Sequence, residues 1–566
     1  MSGLDTSCSS SSEKETPFVK ASGVFSFRSR LVGDGDDNLS VRDVMNLLKS
    51  PCDEGFVTSR KAPSTKCGRA QRRWTLAATI LGSSMVFIDG TVVNVALPAL
   101  QENLNATVTN VQWVIESYTL FLAALLLLGG SLGDQFGRKK IYAIGVAVFA
   151  LASVWCGFAP NIHQLIVARA AQGVGGALLV PGSLAIISAT FSEDDRGQAI
   201  GTWSGATAIT TALGPVLGGW LIEHVSWRAV FFLNLPLALT VIVLVFLFVP
   251  ESRDEENSGK LDFAGAALAT FSLGSIVYGL IESSTSGWKN PVVLSSVIIG
   301  IILGALFVLV EARKSNPMLP LGMFRSANFA GANLLTLFLY AALSGTLFFL
   351  PLNLIQVQKY SATAAGAASL PFILIMFGLS RWSGGLVKRY GSRLPLVIGP
   401  IVAGIGFALF LRPGADARYW TQFFPAIVVL GLGMAISVAP LTTTVMNSVK
   451  ESHAGVASGI NNAVSRTAGL LAIAVLGLIM FHVFSGCLDR RLDQFVVSPE
   501  IRQTMIEQHP KLAAADIPAT ADEVTRNAIK QAIDECFVAG FRRVLLTGAV
   551  LAFASSAAAW LLIRKR

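Results

Sequence analysis

Residues 130–140 read GSLGDQFGRKK and separate two long apolar segments. The chain must reverse direction here within a few residues, and spaced glycines permit such a turn. Asp134 can either cap the following helix or pair with Arg138. A basic cluster beside a short turn is typical of the cytoplasmic face of a membrane protein. The stretch therefore predicts a hairpin between two membrane-spanning helices.

The segments on either side belong to a chain that is apolar along most of its length. Hydrophobic residues make up 52% of the 566 residues and charged residues 14%, whereas a soluble chain usually has about 25% charged residues. A block of about 20 apolar residues crosses the ~30 Å hydrocarbon core as a helix. Such blocks lie near 75–98, 113–132, 141–159, 163–188, 199–222, 228–249, 261–281, 292–311, 329–355, 362–384, 394–412, 421–446, 455–485 and 540–563. The sequence predicts an all-α membrane protein with fourteen transmembrane helices.

Lysine and arginine in the short loops indicate the orientation, because they favour the cytoplasmic side. If the N-terminus is cytoplasmic, the six short inside loops hold 13 of these residues and the six outside loops hold five. Both termini are then cytoplasmic, and we expect a multi-pass protein of the plasma membrane (the inner membrane of a bacterium). The net charge of +9 follows the loops and not one face, which argues against nucleic-acid binding.

Two segments lie outside the predicted helices. Residues 1–73 are polar and rich in serine, which indicates a disordered cytoplasmic tail or, in part, an extension that is not translated. Residues 487–539 are predicted to form a long external loop that contains two amphipathic helices. Cys487 and Cys536 bracket this loop, either as a disulfide or as two unpaired thiols.

The remaining cysteines and histidines show no metal-ligand spacing, so the sequence predicts no metal and no cofactor. The chain lacks a G-x-x-x-x-G-K-[ST] loop, which disfavours an ATP-driven pump. It also lacks a nucleophile constellation, which argues against an enzyme.

A few charged residues fall inside the apolar segments, where charge is costly and usually functional. Asp89 lies roughly 21 Å beyond the start of the first span, at 1.5 Å per residue, and serves either reversible proton binding or a buried structural hydrogen bond. Glu116 could relay protons or be an interfacial residue. Arg169 could tune a nearby acid or brace two helices. Arg381 and Arg466 lie nearer the cytoplasmic ends of their spans, where their long side chains can reach the interface.

A glycine-rich stretch, GPVLGG at 214–219, falls inside the fifth span. Gly214 and Gly218 share one helix face and permit close contact with another helix. Pro215 removes a helix hydrogen bond, so the helix can bend there.

The 130–140 stretch resembles the signature loop of the major facilitator superfamily, G-x-L-x-D-(R/K)-x-G-R-(R/K)-(R/K). The matching residues are Gly130, Leu132, Asp134, Gly137, Arg138, Lys139 and Lys140, whereas Gln135 stands where a basic residue is usual. Segments 89–98, 169–176, 227–236 and 454–462 are similar to the subfamily of fourteen-span drug:proton antiporters, and Gly214, Pro215, Gly218 and Gly219 resemble its antiporter motif. Residues 384–393 are similar to a second copy of the loop without its acid.

This resemblance implies two six-helix bundles around a central cavity, with two further spans between them. The bundles would comprise residues 74–250 and 326–566, and the inserted spans 251–325. It also implies alternating access, with substrate bound near the middle of the membrane and the 130–140 loop as a conformational gate.

The leading interpretation is a proton-driven exporter of amphipathic drugs or toxic metabolites. Asp89 would bind the proton, Glu116 would assist, and Arg169 would tune the coupling. Because the segment 362–384 contains no acidic residue, dicationic substrates are disfavoured. The alternative is a dedicated exporter or importer of one metabolite or lipid. The expected partners are a small molecule, protons and the bilayer, and an accessory periplasmic adaptor is left open.

Overall fold

The computed structural model describes residues 68–253, 261–314, 317, 319–449, 454–494 and 497–564. The polar segment 1–73 therefore lies outside the described residues except for its last six positions. All regular structure in the described ranges is helical.

We number the long helices α1 to α14 in chain order. The first six are α1 Arg69–Asn103, α2 Val108–Phe136, α3 Arg138–Phe158, α4 Ile162–Thr190, α5 Glu193–His224 and α6 Ala229–Phe248. Helices α7 Phe263–Ser286 and α8 Pro291–Arg313 follow. The last six are α9 Ala327–Leu352, α10 Ala362–Ala368 with Leu370–Gly384, α11 Arg393–Leu409, α12 Phe424–Asn447, α13 Ala454–Leu492 and α14 Glu523–Leu562.

Thirteen of these helices are long and apolar enough to cross a membrane, as judged from the described residues. The other, α11, is a shorter apolar helix of 17 residues. At 1.5 Å per residue it reaches about 25 Å, which is at the lower limit of a spanning helix. The predicted all-α membrane fold is confirmed, and the fourteen expected spans correspond to these thirteen helices and α11.

The helices pack as two bundles with a helix pair between them. In the first bundle, α2 and α3 pack on α4, and α1 packs on α5 and α6. In the second, α9 packs on α13 and α14, and α11 packs on α12 and α14. Helices α7 and α8 pack on each other, and α7 also contacts α2 and α13. The bundles meet where α2 packs on α13 and where α5 packs on α10; we call this boundary the seam.

Successive connections alternate between two ends of the molecule. At one end, the backbone N–H of Arg138 donates to the carbonyl oxygen of Ser252 at 2.9 Å; we call this the Arg138 end. At the other, the Gln101 side chain donates to the carbonyl oxygen of Lys511 at 3.3 Å; we call this the His509 end, after the short 3₁₀ helix His509–Ala514.

The predicted external loop 487–539 is shorter in the structure. Helix α13 continues to Leu492, and α14 begins at Glu523, so the expected amphipathic helix and the last span are one helix of 40 residues. No proline interrupts this stretch, and Gly540 packs closely against Met480. The connection is therefore 493–522 and contains the helix Pro499–Glu507.

Candidate functional site

A buried ion pair joins α1 to α4. Arg169 Nη1 donates to Asp89 Oδ2, and the exposed fractions of the two side chains are 1% and 0%. A charge isolated at this depth would be strongly destabilising, and pairing removes much of that penalty. The structure thus brings together two of the charged residues that the sequence singled out.

Neutral polar side chains surround this pair. Gln172 Nε2 donates to Asp89 Oδ1 and to Ser153 Oγ, both at 2.8 Å, and Gln172 Oε1 accepts from Arg169 Nη1 at 2.6 Å. Asn234 Nδ2 lies 3.3 Å from both Asp89 Oδ1 and Ser153 Oγ. We call Asp89, Ser153, Arg169, Gln172 and Asn234 the polar cluster. It links four helices of the first bundle, α1, α3, α4 and α6.

Arg169 is further held by α2. Its Nε donates to the carbonyl oxygen of Val114 at 3.1 Å, and its guanidinium carbon lies 4.2 Å from the centre of the Tyr118 ring. Phe231 lies on another side of the guanidinium, at 5.9 Å. A guanidinium over an aromatic face gains cation–π attraction. These contacts fix the orientation in which Arg169 faces Asp89.

Asp89 is the acceptor in each of its hydrogen bonds within the cluster. The Asp89 carboxylate accepts from Arg169, Gln172 and Asn234, which stabilises its charged form. A protonated Asp89 would instead need an acceptor, because a carboxylic acid carries one O–H donor. The buried Asn234 Oδ1 has no hydrogen-bond partner among the described residues, so the amide group that donates to Asp89 also carries an unused acceptor.

Glu116 lies apart from the polar cluster. Its side chain is fully buried, and neither carboxyl oxygen has a hydrogen-bond partner in the described part of the chain. One turn away on the same face of α2, Gln112 donates to the carbonyl oxygen of Ile473 in α13 at 3.1 Å. Glu116 therefore faces the seam, whereas the sequence grouped it with Asp89 and Arg169.

The 130–140 stretch forms a tight corner at the Arg138 end. Of its spaced glycines, Gly137 has a positive φ of 109°, while Gly130 and Gly133 lie inside α2. Asp134 accepts from Arg138 at 2.8 Å and does not cap α3, whose N-cap is Gly137. This geometry decides between the two roles considered for Asp134.

An acidic residue after α6 completes this corner. Glu251 Oε1 accepts from the backbone N–H of Lys139 at 3.1 Å, and Lys139 Nζ donates to the carbonyl oxygen of Phe246. Lys140 is exposed. Sequence reasoning missed Glu251, although its position just after a span at the same end was a usable signal.

The glycine-rich stretch of α5 lies directly against the helix that carries Asp89. A Cβ atom at Gly214 would collide with Thr91 of α1, and one at Gly218 with Val92. Gly219 faces another way, against the backbone of Ala362 in α10. The α5 helix continues through Pro215. This stretch therefore contacts both α1 and the second bundle.

Arg466 does not lie where the sequence suggested. It was expected to reach the membrane interface, but its side chain lies within electrostatic range of Tyr118, the residue whose ring packs on Arg169. The cause is the close packing of α13 along α2. The expectation for Arg466 is therefore wrong; the side chain of Arg381 lies outside the described part of the structure.

Sequence reasoning also missed several members of the cluster as functional residues. Gln172 is three positions after Arg169 and so shares its helix face. Ser153 and Asn234 are buried polar residues in otherwise apolar helices. Such residues in membrane helices seek polar partners, which was the signal that could have found them.

Known proteins resemble this chain over most of its length. The family model "Major Facilitator Superfamily" matches residues 79–473. The multidrug resistance protein Stp of Mycobacterium tuberculosis is 34% identical over 478 residues, covering 83% of this chain and 88% of Stp. The tetracenomycin C resistance and export protein of Streptomyces glaucescens is 34% identical over 416 residues, covering 73% of this chain and 77% of that protein.

Among solved structures, a bacterial homologue of the human lysosomal transporter Spinster, in an inward-facing and unoccupied conformation, is similar. Its TM-score is 0.61 at 17% identity, and the match covers 87% of this chain and 98% of that one. At this identity the likeness supports the fold alone.

Proposed function

Because this chain belongs to the major facilitator superfamily, and is therefore a multi-pass membrane transporter and not an enzyme, we propose that it exports small amphipathic molecules in exchange for protons. The observation that carries the proposal is the buried Asp89–Arg169 pair within the polar cluster. Similarity to a multidrug resistance protein and to an antibiotic exporter supports drugs or toxic metabolites as the substrate class.

Asp89 is the proton-binding group of this proposal. Deprotonated, it is held by Arg169 and Gln172; protonated, it loses its attraction to Arg169 and donates to Asn234 Oδ1. Two arrangements of the same buried side chains then correspond to two protonation states. Such a change at one element can bias a two-state equilibrium of the whole protein.

Helix contacts offer a route from this proton site to the substrate path. Asp89 lies on α1 near Thr91 and Val92, which pack on Gly214 and Gly218 of α5. The next residue, Gly219, packs on α10 of the second bundle. A shift of α1 on protonation would therefore be felt at the seam.

Glu116 is the second acid of the proposal. A buried carboxyl group without a partner is most stable when neutral, because an isolated charge is costly to bury. Its position at the seam, near Gln112, suits contact with a substrate or proton there.

The seam is closed at the His509 end, which suits an alternating-access transporter in one of its states. Thr363 Oγ1 donates to Glu223 Oε2 at 2.6 Å, and Gln356 donates to Gln101 at 2.8 Å. Both bonds join the first bundle to the second. The charge distribution of the loops supports a cytoplasmic location for the Arg138 end and for both termini.

The test is substitution of Asp89 by Asn in the full chain reconstituted in vesicles. A pH gradient is imposed, and transport of rhodamine 6G is followed together with proton movement. Asp89→Asn should retain membrane insertion but lose pH-driven transport, whereas Asp416→Asn, an exposed acid in the α11–α12 connection, should behave as wild type. Full pH-driven transport by Asp89→Asn would overturn the assignment, and the direction of transport separates export from import.

A further inference from the structure

Arg466 carries a charge that no described residue neutralises. It forms no hydrogen bond or ion pair in the described part of the chain, and its one electrostatic neighbour is the neutral Tyr118. The side chain is partly buried. A cation in such surroundings is destabilising until an anion reaches it.

The depth of Arg466 in the membrane makes this charge notable. Helix α13 begins at Ala454, so the Arg466 backbone lies roughly 18 Å along the helix at 1.5 Å per residue. Tyr118 of α2, which packs on Arg169 at the level of the polar cluster, is within electrostatic range of the Arg466 side chain. Arg466 therefore ends near the middle of the bundle.

The chain itself offers few counter-charges. Between residues 319 and 488 the sequence contains two acidic residues, Asp416 and Glu451, both in connections between helices. Asp416 belongs to the His509 end and is exposed, and Glu451 precedes the start of α13. In the first bundle, Asp89 is already held by Arg169, and Glu116, although it faces the seam, is not an electrostatic neighbour of Arg466.

The surroundings of Arg466 lie on the seam between the bundles. Gly459 and Ile473 lie on either side of it along α13, and both contact α2. Gly459 packs near Leu127, and the carbonyl oxygen of Ile473 accepts from Gln112. Arg466 is seven residues from each of Gly459 and Ile473, which is about two helical turns, so it shares the face of α13 that packs on α2 at the seam.

We propose that Arg466 binds an anionic group of the transported molecule, such as a carboxylate, phenolate or sulfonate. This inference rests on the proposed function, because it takes the seam as the substrate path. A guanidinium presents several N–H donors in a planar fork that matches such anions. The bound anion neutralises Arg466, which lowers the cost of burying both charges.

The test compares two xanthene dyes of opposite charge, fluorescein as the anion and rhodamine 6G as the cation. Binding to the purified full chain in detergent is measured by equilibrium dialysis at pH 7.5, without a proton gradient. Arg466→Gln should weaken fluorescein binding roughly 10- to 100-fold, the range for a hydrogen bond to a charged group, and leave rhodamine 6G binding unchanged. Arg466→Lys should cause a smaller loss, because it keeps the charge and removes the planar fork. Arg490→Gln, an exposed arginine of the same helix, is the matched control and should bind as wild type.

Any of three results would overturn this inference. They are retained fluorescein affinity in Arg466→Gln, equally weakened binding of both dyes in that variant, and no fluorescein binding by the wild type. If Arg466→Gln fails to fold, as judged by size-exclusion chromatography, Arg466→Lys decides by the same criteria. Arg466-dependent fluorescein binding without pH-driven transport would uphold the inference and overturn proton coupling. pH-driven transport without such binding would uphold proton coupling and overturn the inference.

Discussion

The Asp89–Arg169 pair shows how a membrane interior tolerates two opposite charges. Neither side chain has measurable contact with solvent, so each depends on the other and on Gln172 for compensation. Removing one member leaves an unpaired buried charge, which costs more than removing both. The pair therefore acts as a unit in stability as well as in the proposed transport.

We predict that Arg169→Gln lowers the free energy of unfolding by about 3–5 kcal/mol, the usual cost of breaking a buried pair. The double variant Asp89→Asn with Arg169→Gln should be more stable than Arg169→Gln alone, because it also removes the orphaned carboxylate. Thermal unfolding of the purified chain in detergent measures both. Arg491→Gln, which breaks an exposed pair with Glu535, should change little. Additive losses in the double variant would contradict the predicted coupling.

At this scale the sequence revealed which residues carry charge but not which of them meet. Asp89 and Arg169 stood out because they interrupt apolar segments. Their pairing depends on how α1 and α4 turn toward each other, and residue number gives depth along a helix but not that rotation. For the same reason Glu116 could not be separated from them in advance, although it points to the seam.

Between elements, the contact of α5 with α10 closes the His509 end of the seam. Gly219 packs on the backbone of Ala362, and Gly366 packs on the carbonyl group of Pro215. Both contacts are backbone to backbone, so neither partner can yield by changing a rotamer. An added methyl group must separate the two helices.

We predict that Gly366→Ala opens this contact and weakens transport. The reporter is a disulfide between cysteines introduced as Glu223→Cys and Thr363→Cys, whose native side chains are 2.6 Å apart. Gly366→Ala should reduce the cross-linking yield severalfold. The matched control is Gly378→Ala on the same helix, where a Cβ atom meets nothing within 4 Å. Unchanged cross-linking in Gly366→Ala would show that the contact does not close the seam.

The connection between α13 and α14 is anchored to both bundles. The structure joins Cys487 to Cys536, with a Cα–Cα distance of 5.5 Å, and Lys511 accepts from Gln101 of α1. The bridge stays a prediction for the protein in its membrane. Limited proteolysis within 493–522 should yield two fragments that separate on a gel only after reduction. In Cys487→Ser the two fragments should separate with or without a reductant. Separation of the wild-type fragments without a reductant would show two free thiols.

For the whole molecule, the sequence predicted the architecture well because hydrophobic length decides it. Each expected span overlaps one helix, with several ends shifted by a few residues, and the suggested second copy of the loop is visible in the backbone. Gly137 and Gly391 both take positive φ, at 109° and 73°, while Lys388 stands where the first copy has Asp134. The helix ends of α13 and α14 were missed, because beyond the membrane a helix is stabilised by neighbours and not by apolar length.

The orientation is proposed from the whole-chain charge distribution, and one cysteine at each end tests it. Ser192 lies in the α4–α5 connection at the Arg138 end and Ser498 in the α13–α14 connection, and both are exposed N-cap residues. In a background without other cysteines, we predict that a membrane-impermeant maleimide labels Ser498→Cys in intact cells. Ser192→Cys should be labelled only after permeabilisation, because basic loops are retained in the cytoplasm. The reverse pattern would place the Arg138 end outside. The closed His509 end would then face the cytoplasm, which would also reverse the proposed direction of transport.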